Sequence, residues 1–585
     1  MKSKLLLAAF PGILASFTSL TAAVFTWDGG DTGNAWEAGD NWVGDAAPAN
    51  ATDTDIIFAE AAFAGASQAI FTSGYDIASI SFNDSITSPF TLNTNAGSHT
   101  MEVDAITVDS GVGAGVTLGG RYIIGSGGTV ITNNSGFTVA WEGNLFAAGT
   151  GQVQLRNGDF VTSTGSANNS TWTGGTLIDD ALWRINAAIN GGQTDPFGAG
   201  DLVFGDAAST ANATLQIQSL RGTTNNFNNN IVVNSSDSVL DIDLTGGVLV
   251  QGDIALTSGS QLTVDNGNSN TFLNGAISGT GDLVLGTAGG IMIVDNTNTF
   301  TGNVTINTTT QIRASTGGLG NASNLVTVDG GAFRLFSAAN GSVTLDNELN
   351  LNTTGGNIGV QGGGTATNVT GTFNGDWNLG ADMTQLDVVA TANGAQNITL
   401  NVNGAILDSN PAGTDVFIDG AAAAGSDVTV NLAGESVFAG STTTNNTGNL
   451  GDLLVNLDGS LSNSNLTIGA GTEFAGSGTL FYNIEGANSD LITVNGTFDI
   501  SGLTLDFDLS GLGATESSYL IADYSAGTLV GSTFLDIVDL PSGFSIDYNL
   551  GGASQIGIVI PEPSSFALLA GLLGLTSVML RRRSR

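Results

Sequence analysis

The tight spacing of short apolar runs constrains this chain more than any other feature. Residues 231–233, 239–244, 248–250, 254–256 and 262–264 are Val-, Ile- and Leu-rich and begin six to nine residues apart. Between them lie Gly246-Gly247, Gly252-Asp253 and Asp265-Asn266-Gly267. Runs of three to six β-branched or apolar residues bounded by Gly, Asn and Asp read as strand, turn, strand. No interval is long enough for a crossover helix, so alternating β/α architectures are excluded.

The same texture runs from about 61 to 480, and pieces of it are copied. Asn274-Gly275-Ala276-Ile277 leads to Asn298-Thr299-Phe300-Thr301-Gly302-Asn303-Val304-Thr305-Ile306, then Gly318-Leu319-Gly320. Thr171-Trp172-Thr173-Gly174-Gly175-Thr176-Leu177-Ile178 matches the middle of that unit, and Phe197-Gly198-Ala199-Gly200 answers its end. A third copy holds Asn403-Gly404-Ala405-Ile406 and Val437-Phe438. Short strands that cannot bury a face alone must stack on their neighbours, which is the logic of a solenoid.

These segments, best at 168–204 and 274–336, resemble the autotransporter-associated β-strand repeat. Asn303 departs from the second glycine usual there, and the copies are unevenly spaced. The resemblance implies a parallel β-helix of the kind found in bacterial surface and secreted proteins. The expected fold is therefore all-β: a right-handed parallel β-helix over 61–480, with coils of ~20–25 residues rising ~4.8 Å each. An antiparallel sandwich has similar turn spacing, but the copied motif favours coils.

Charge narrows the function. Setting aside Glu562 and the six basic residues at the two ends leaves 51 acidic groups against six arginines: Arg121, Arg156, Arg184, Arg221, Arg313 and Arg334. That surface repels polyanions, which excludes nucleic-acid binding. The chain has no cysteine, hence no disulfide or thiolate metal site, and its one histidine, His99, reads as a solvated loop residue. Polarity comes from Asn, Thr, Ser and Gly, which serve turns and side-chain ladders along stacked strands.

The two ends are specialised. Residues 1–23 read as a signal peptide: Lys2 and Lys4, an apolar stretch, then Thr21-Ala22-Ala23 with cleavage after Ala23. Residues 24–60 hold Trp27, Trp36 and Trp42, three of the chain's seven tryptophans. They read as a cap over an open solenoid end; the alternative is a sugar-stacking platform. Residues 481–560 are richer in aromatics and read as a terminal β segment. Then come Pro561-Glu562-Pro563, an apolar stretch from Phe566 to Leu580, and Arg581-Arg582-Arg583. A short motif, one apolar helix and a basic stop resemble the Pro-Glu-Pro C-terminal sorting signal (PEP-CTERM). The resemblance implies an exosortase-type partner, a transient transmembrane helix in the inner membrane, and a body outside it.

Enzymatic sites on β-helices need clustered carboxylates at matched separations. The candidate pairs are Asp53/Asp55, Asp179/Asp180, Asp241/Asp243 and Asp506/Asp508, and none is flanked by Arg, Lys or His. No Asp-x-Asp-x-Asp-Gly loop appears, so weak incidental calcium is the only metal reading and no cofactor is expected. An autotransporter passenger would be followed by an outer-membrane barrel, which the apolar tail argues against. The sequence thus points to a non-enzymatic surface or extracellular-matrix protein, adhesin-like and structural, with exopolysaccharide or other matrix glycans as partners by analogy. The alternative is a polysaccharide-binding or polysaccharide-degrading β-helix enzyme, which three or more carboxylates in one groove would favour.

Overall fold

Apolar residues at alternate positions put one face of each short strand inside, and a computed structural model shows what those faces build. It describes residues 22–560 except 31–33, 60–67, 72, 95–98, 143–145, 165–170, 187–196, 208–210, 219–224, 245, 268–269, 288, 309, 353–355, 392–395, 422–426, 439, 446–452, 487 and 513–516. Beyond 560 it describes only Leu575, Met579 and Arg582. The chain divides into two compact units, 1–161 with 168–174 and 162–167 with 175–585.

In the first unit, strands Ala23–Trp27, Thr54–Phe58, Tyr75–Phe82, Thr100–Val108 and Thr129–Asn133 pair in parallel. The register lines up Phe25, Ile56, Ile80, Ile106 and Ile131, one per strand. Trp27, Trp36 and Trp42 are all buried, with the Trp36 and Trp42 ring centroids 4.9 Å apart and near-perpendicular. Ala23 is the first residue of its strand, and its N–H donates to the Asp53 carbonyl at 2.9 Å. His99 is half-buried and sits immediately before Thr100–Val108.

The second unit is a parallel β-solenoid. Val248–Val250, Thr271–Leu273, Ile291–Val294, Gln311–Ala314, Ala332–Ser337, Gly356–Gly362, Gln385–Thr391 and Asp415–Ala421 follow in register on one side, each pairing with the next. Their inward column reads Val248, Thr271, Met292, Ile312, Phe333, Ile358, Val388 and Ile418, every one buried. Each such aliphatic side chain contributes roughly 1.5–3 kcal/mol by leaving water.

Coil length departs from the expected value partway along. Near 275–320, groups bonded across adjacent turns lie 20–23 residues apart. From 350 to 430 the interval is 28–30. A third sheet begins at Gly341–Leu345 and continues through Asn368–Phe373, Asn397–Val402 and Val428–Leu432, but length does not follow it: Leu202 and Ile231 are already 29 residues apart, and Leu453 and Thr472 in the third sheet only 19. Its strands read in sequence like any other short run, so the third sheet left no separate trace there.

Buried asparagines staple the corners. Asn298 accepts from the Ile277 N–H one turn back (2.7 Å) and donates to the Gly318 carbonyl one turn on (2.6 Å). The outside carries the expected ladders: Asn431 Nδ2 donates to Asn401 Oδ1, Asn403 to Asn374, and Asn397 to Asn368, at 2.7–3.1 Å. In one sheet the parallel order ends near residue 520, where Ser518–Asp523 pairs antiparallel with Gln555–Val559, which pairs antiparallel with Ser545–Asp547; the other two sheets add parallel strands at Thr528–Val530 and Asp536–Val538.

Candidate functional site

The strand Ala332–Ser337 reads Ala-Phe-Arg-Leu-Phe-Ser. Phe333 and Leu335 face the core, which turns Arg334 and Phe336 to the outer face. Arg334 is nevertheless only 3% exposed. Its register partner on the next strand is Gly359, which offers no side chain. A Cβ at 359 would stand 1.7 Å from the Val389 carbonyl oxygen, so only glycine fits there. The guanidinium turns to Asn357, donating through Nη1 to its carbonyl (2.5 Å) and through Nη2 to its Oδ1, while Nη1 also reaches the Phe333 carbonyl (3.1 Å). Nε has no partner.

Arg313 lies in register on the preceding strand. Its Nε donates to Gln311 Oε1 (2.7 Å), and its guanidinium sits 4.9 Å over the Phe336 ring. Burial lowers the pKa of both arginines. For Arg334 the neighbouring Arg313 charge adds to burial and Asp387 opposes it, leaving about 10. Both are charged at neutral pH.

On the far side the same face carries Asn357, Asp387 and Phe417 in one register column, with Val389 and Asp419 in the next. Gln385 donates to Asp387 at 2.8 Å. Together with Thr391 these side chains line an open groove of about 350 Å³. It offers two carboxylates, amide donors and acceptors, one buried cation and a half-buried phenyl ring. Such a set suits noncovalent recognition of a polar ligand. Arg334 and Phe336 were visible in sequence only as part of a repeat. What marks the site is Gly359 one turn later, and its partnership needs the register.

The carboxylate pairs do not converge. Asp55 accepts from Ser79 Oγ (2.5 Å) and Asp179 from the Asp206 N–H (3.3 Å). Asp241 accepts from Gln216 (2.7 Å) and lies in register with Asp265. Its pKa is raised by burial first, then by the Asp265 and Asp243 charges, against the Gln216 hydrogen bond. Asp508 accepts from the Ser510 N–H at 2.9 Å. Among the described residues no group of three or more His, Cys, Asp or Glu side chains is placed to hold a metal ion. The sorting residues Pro561, Glu562, Pro563, Arg581 and Arg583 lie outside the described residues, as do 1–21; Arg582 is exposed. Among the described residues no helix is long and apolar enough to cross a membrane.

One carboxylate outside the groove is strongly perturbed. Burial beside Tyr482 pushes Asp490 up to about 6, although the Asn483 N–H donates to its Oδ2 at 2.7 Å. The folded value lies above the unfolded one, so the folded state holds the extra proton between them. Stability therefore falls as pH rises from about 4 to about 6 and is level above that. Asp490→Asn is expected to raise stability at pH 7.5 by about 1 kcal/mol, a figure reduced for its partial exposure, and to change nothing at pH 3. Urea unfolding at the two pH values checks this, and an equal effect at both would defeat it.

The second unit thus belongs to the class of parallel β-solenoids, with a polar groove on the outer face of one sheet. Over 271 residues, 42% of this chain, the sequence is 27% identical to the "Adhesin BmaC autotransporter" of Brucella suis biovar 1 (strain 1330). That match spans 8% of the adhesin's length. This similarity and the solenoid together fit autotransporter-like repeats. No known family model matches the chain.

Proposed function

We propose that the chain is an exported, non-enzymatic protein of the cell surface or extracellular matrix, acting as an adhesin-like structural solenoid. The observation that carries this is the outer surface of the solenoid: Asn, Thr and Asp ladders repeated turn after turn, on a scaffold whose sequence is similar to part of an adhesin. Such a surface works by contact along its length. No cofactor is needed.

In this reading residues 1–23 direct export and the coil is right-handed, the hand that parallel crossovers take. Trp27, Trp36 and Trp42 close its N-terminal end. The tail from Pro561 is a sorting signal: an exosortase-type enzyme cuts near Pro561-Glu562-Pro563 after the apolar helix and Arg581–Arg583 have held the precursor in the inner membrane.

Intact mass and cell fractionation of the native protein test the reading. The expected result is a body outside the cell that ends near residue 561. A full-length C-terminus in the inner membrane would remove the sorting step. A body retained inside the cell would remove the surface role as well.

A further inference from the structure

We propose that the groove over Arg334 binds a carboxylated sugar within an acidic polysaccharide. The inference rests on the surface-protein reading and names the ligand class through which that contact is made.

The first ground is the cation. Arg334 is 97% buried, since its exposure is 3%. All its hydrogen bonds go to neutral oxygens of Phe333 and Asn357, and its Nε has no partner. Asp387 acts on Arg334 only through its charge; a buried guanidinium with no hydrogen-bonded carboxylate is costly, and a charge-assisted bond from a ligand carboxylate offsets that cost. Arg313, one strand away, adds a second positive charge. These are two of the six arginines in an otherwise acidic body. On the same outer face, Gln361 Oε1 is a buried acceptor without a partner.

The second ground is the rest of the lining. Asp387, Asp419, Gln385 and Thr391 supply acceptors and donors for hydroxyl groups, and Phe417 supplies an apolar ring for the C–H face of a pyranose. Asn357, Asp387 and Phe417 stand on successive strands, ~4.8 Å apart along the column. A polymer lying along the column therefore meets a new side chain at each turn. A peptide is the poorer fit. Gly356–Gly362 and Gln385–Thr391 are paired on both edges, so no edge is left for strand addition. Asp387 and Asp419 in the groove meet the sugar through its hydroxyl groups, and the acidic charge elsewhere on the body is screened over ~8 Å at ~0.15 M salt.

The test is calorimetric titration of the full chain with tetragalacturonate, tetramannuronate and the methyl esters of both. At least one acid tetramer is expected to bind at least about tenfold tighter than its ester, the worth of one hydrogen bond to a charged group. Arg334→Gln should bring the acid-to-ester ratio to about one. Phe417→Ala, at a half-buried outer position that does not threaten folding, should weaken acid and ester alike by about fivefold or more. Equal binding of acid and ester, no binding of either acid, or an unchanged preference in Arg334→Gln overturns the proposal. An Arg334→Gln variant that fails to fold leaves the wild-type ratio and Phe417→Ala to decide. Surface retention of Phe417→Ala in cell fractions separates the two readings. Retention without saccharide binding by the wild type overturns the groove alone, whereas wild-type binding by a protein confined to the cell interior overturns the surface role alone.

Discussion

Alanine at position 404 is expected to destabilise the second unit by about 3 kcal/mol, the upper range for overpacking a tight site. An added Cβ there would lie 2.0 Å from the Gly375 carbonyl oxygen. The same holds down the corner: a Cβ at Gly434 would lie 2.1 Å from Gly404 O, and one at Gly459 2.1 Å from Gly434 O. The obstacle is backbone, so no side chain can swing aside. Relief requires opening the corner, which strains the Trp377 N–H to Ala405 carbonyl bond (2.7 Å) and the Ala405 N–H to Asp376 bond (2.7 Å). Gly364→Ala is the control, because nothing lies within 4 Å of its added Cβ, and it should change stability by less than about 0.5 kcal/mol. Urea midpoints measure both. If Gly404→Ala behaves like Gly364→Ala, the corner account fails.

The second large effect belongs to the first unit. Trp36 is fully buried, with its ring 4.9 Å from Trp42, 5.5 Å from Tyr75, and 6.2 Å from both Phe58 and Phe71. Its indole N–H has no partner, whereas its backbone carbonyl accepts from Trp42 Nε1 at 2.7 Å. Truncation to alanine therefore sacrifices no hydrogen bond and leaves a cavity. Trp36→Ala should lose about 3–5 kcal/mol, and Trp36→Phe distinctly less. The near-UV circular dichroism of the aromatic cluster should collapse in the alanine variant. An undiminished signal with an unchanged melting temperature would show that the cluster is not the packed core described.

Much of the architecture was legible because its causes are local. Alternation of apolar and polar residues reports the inward face of each strand without reference to any other strand. The Asn-Gly-Ala-Ile motif was legible for a stronger reason. Gly275 and Gly404 each pass within about 2 Å of a carbonyl one turn earlier, measured from where a Cβ would stand. A position that excludes every other residue keeps the same letter wherever the corner recurs.

The groove was not legible because its cause is nonlocal. Arg334 alternates correctly with Phe333 and Leu335, so in sequence it is one polar residue on an outer face. Its burial depends on Gly359, and its companions Asp387, Phe417 and Asp419 arrive on later turns whose lengths differ. The carboxylate pairs were legible only as neighbours along the chain. Asp241 and Asp243 are neighbours in sequence, but Asp241 takes its register from Asp265 and its hydrogen bond from Gln216.

The parallel register of the second unit also has a mechanical meaning. Each turn is joined to the next edge to edge, so tension along the stack loads the terminal turn first rather than all turns together. A turn of some thirty residues adds ~4.8 Å to the stack while folded and ~100 Å once pulled straight. Peeling a single turn thus lengthens the tether by about twenty times that turn's folded rise, while the turns beneath keep their pairing. Anchored at one end and gripped at the other, such a stack yields in steps and dissipates work at each one. The 28–30-residue turns between about 350 and 430 release more length per step than the 20–23-residue turns near 275–320.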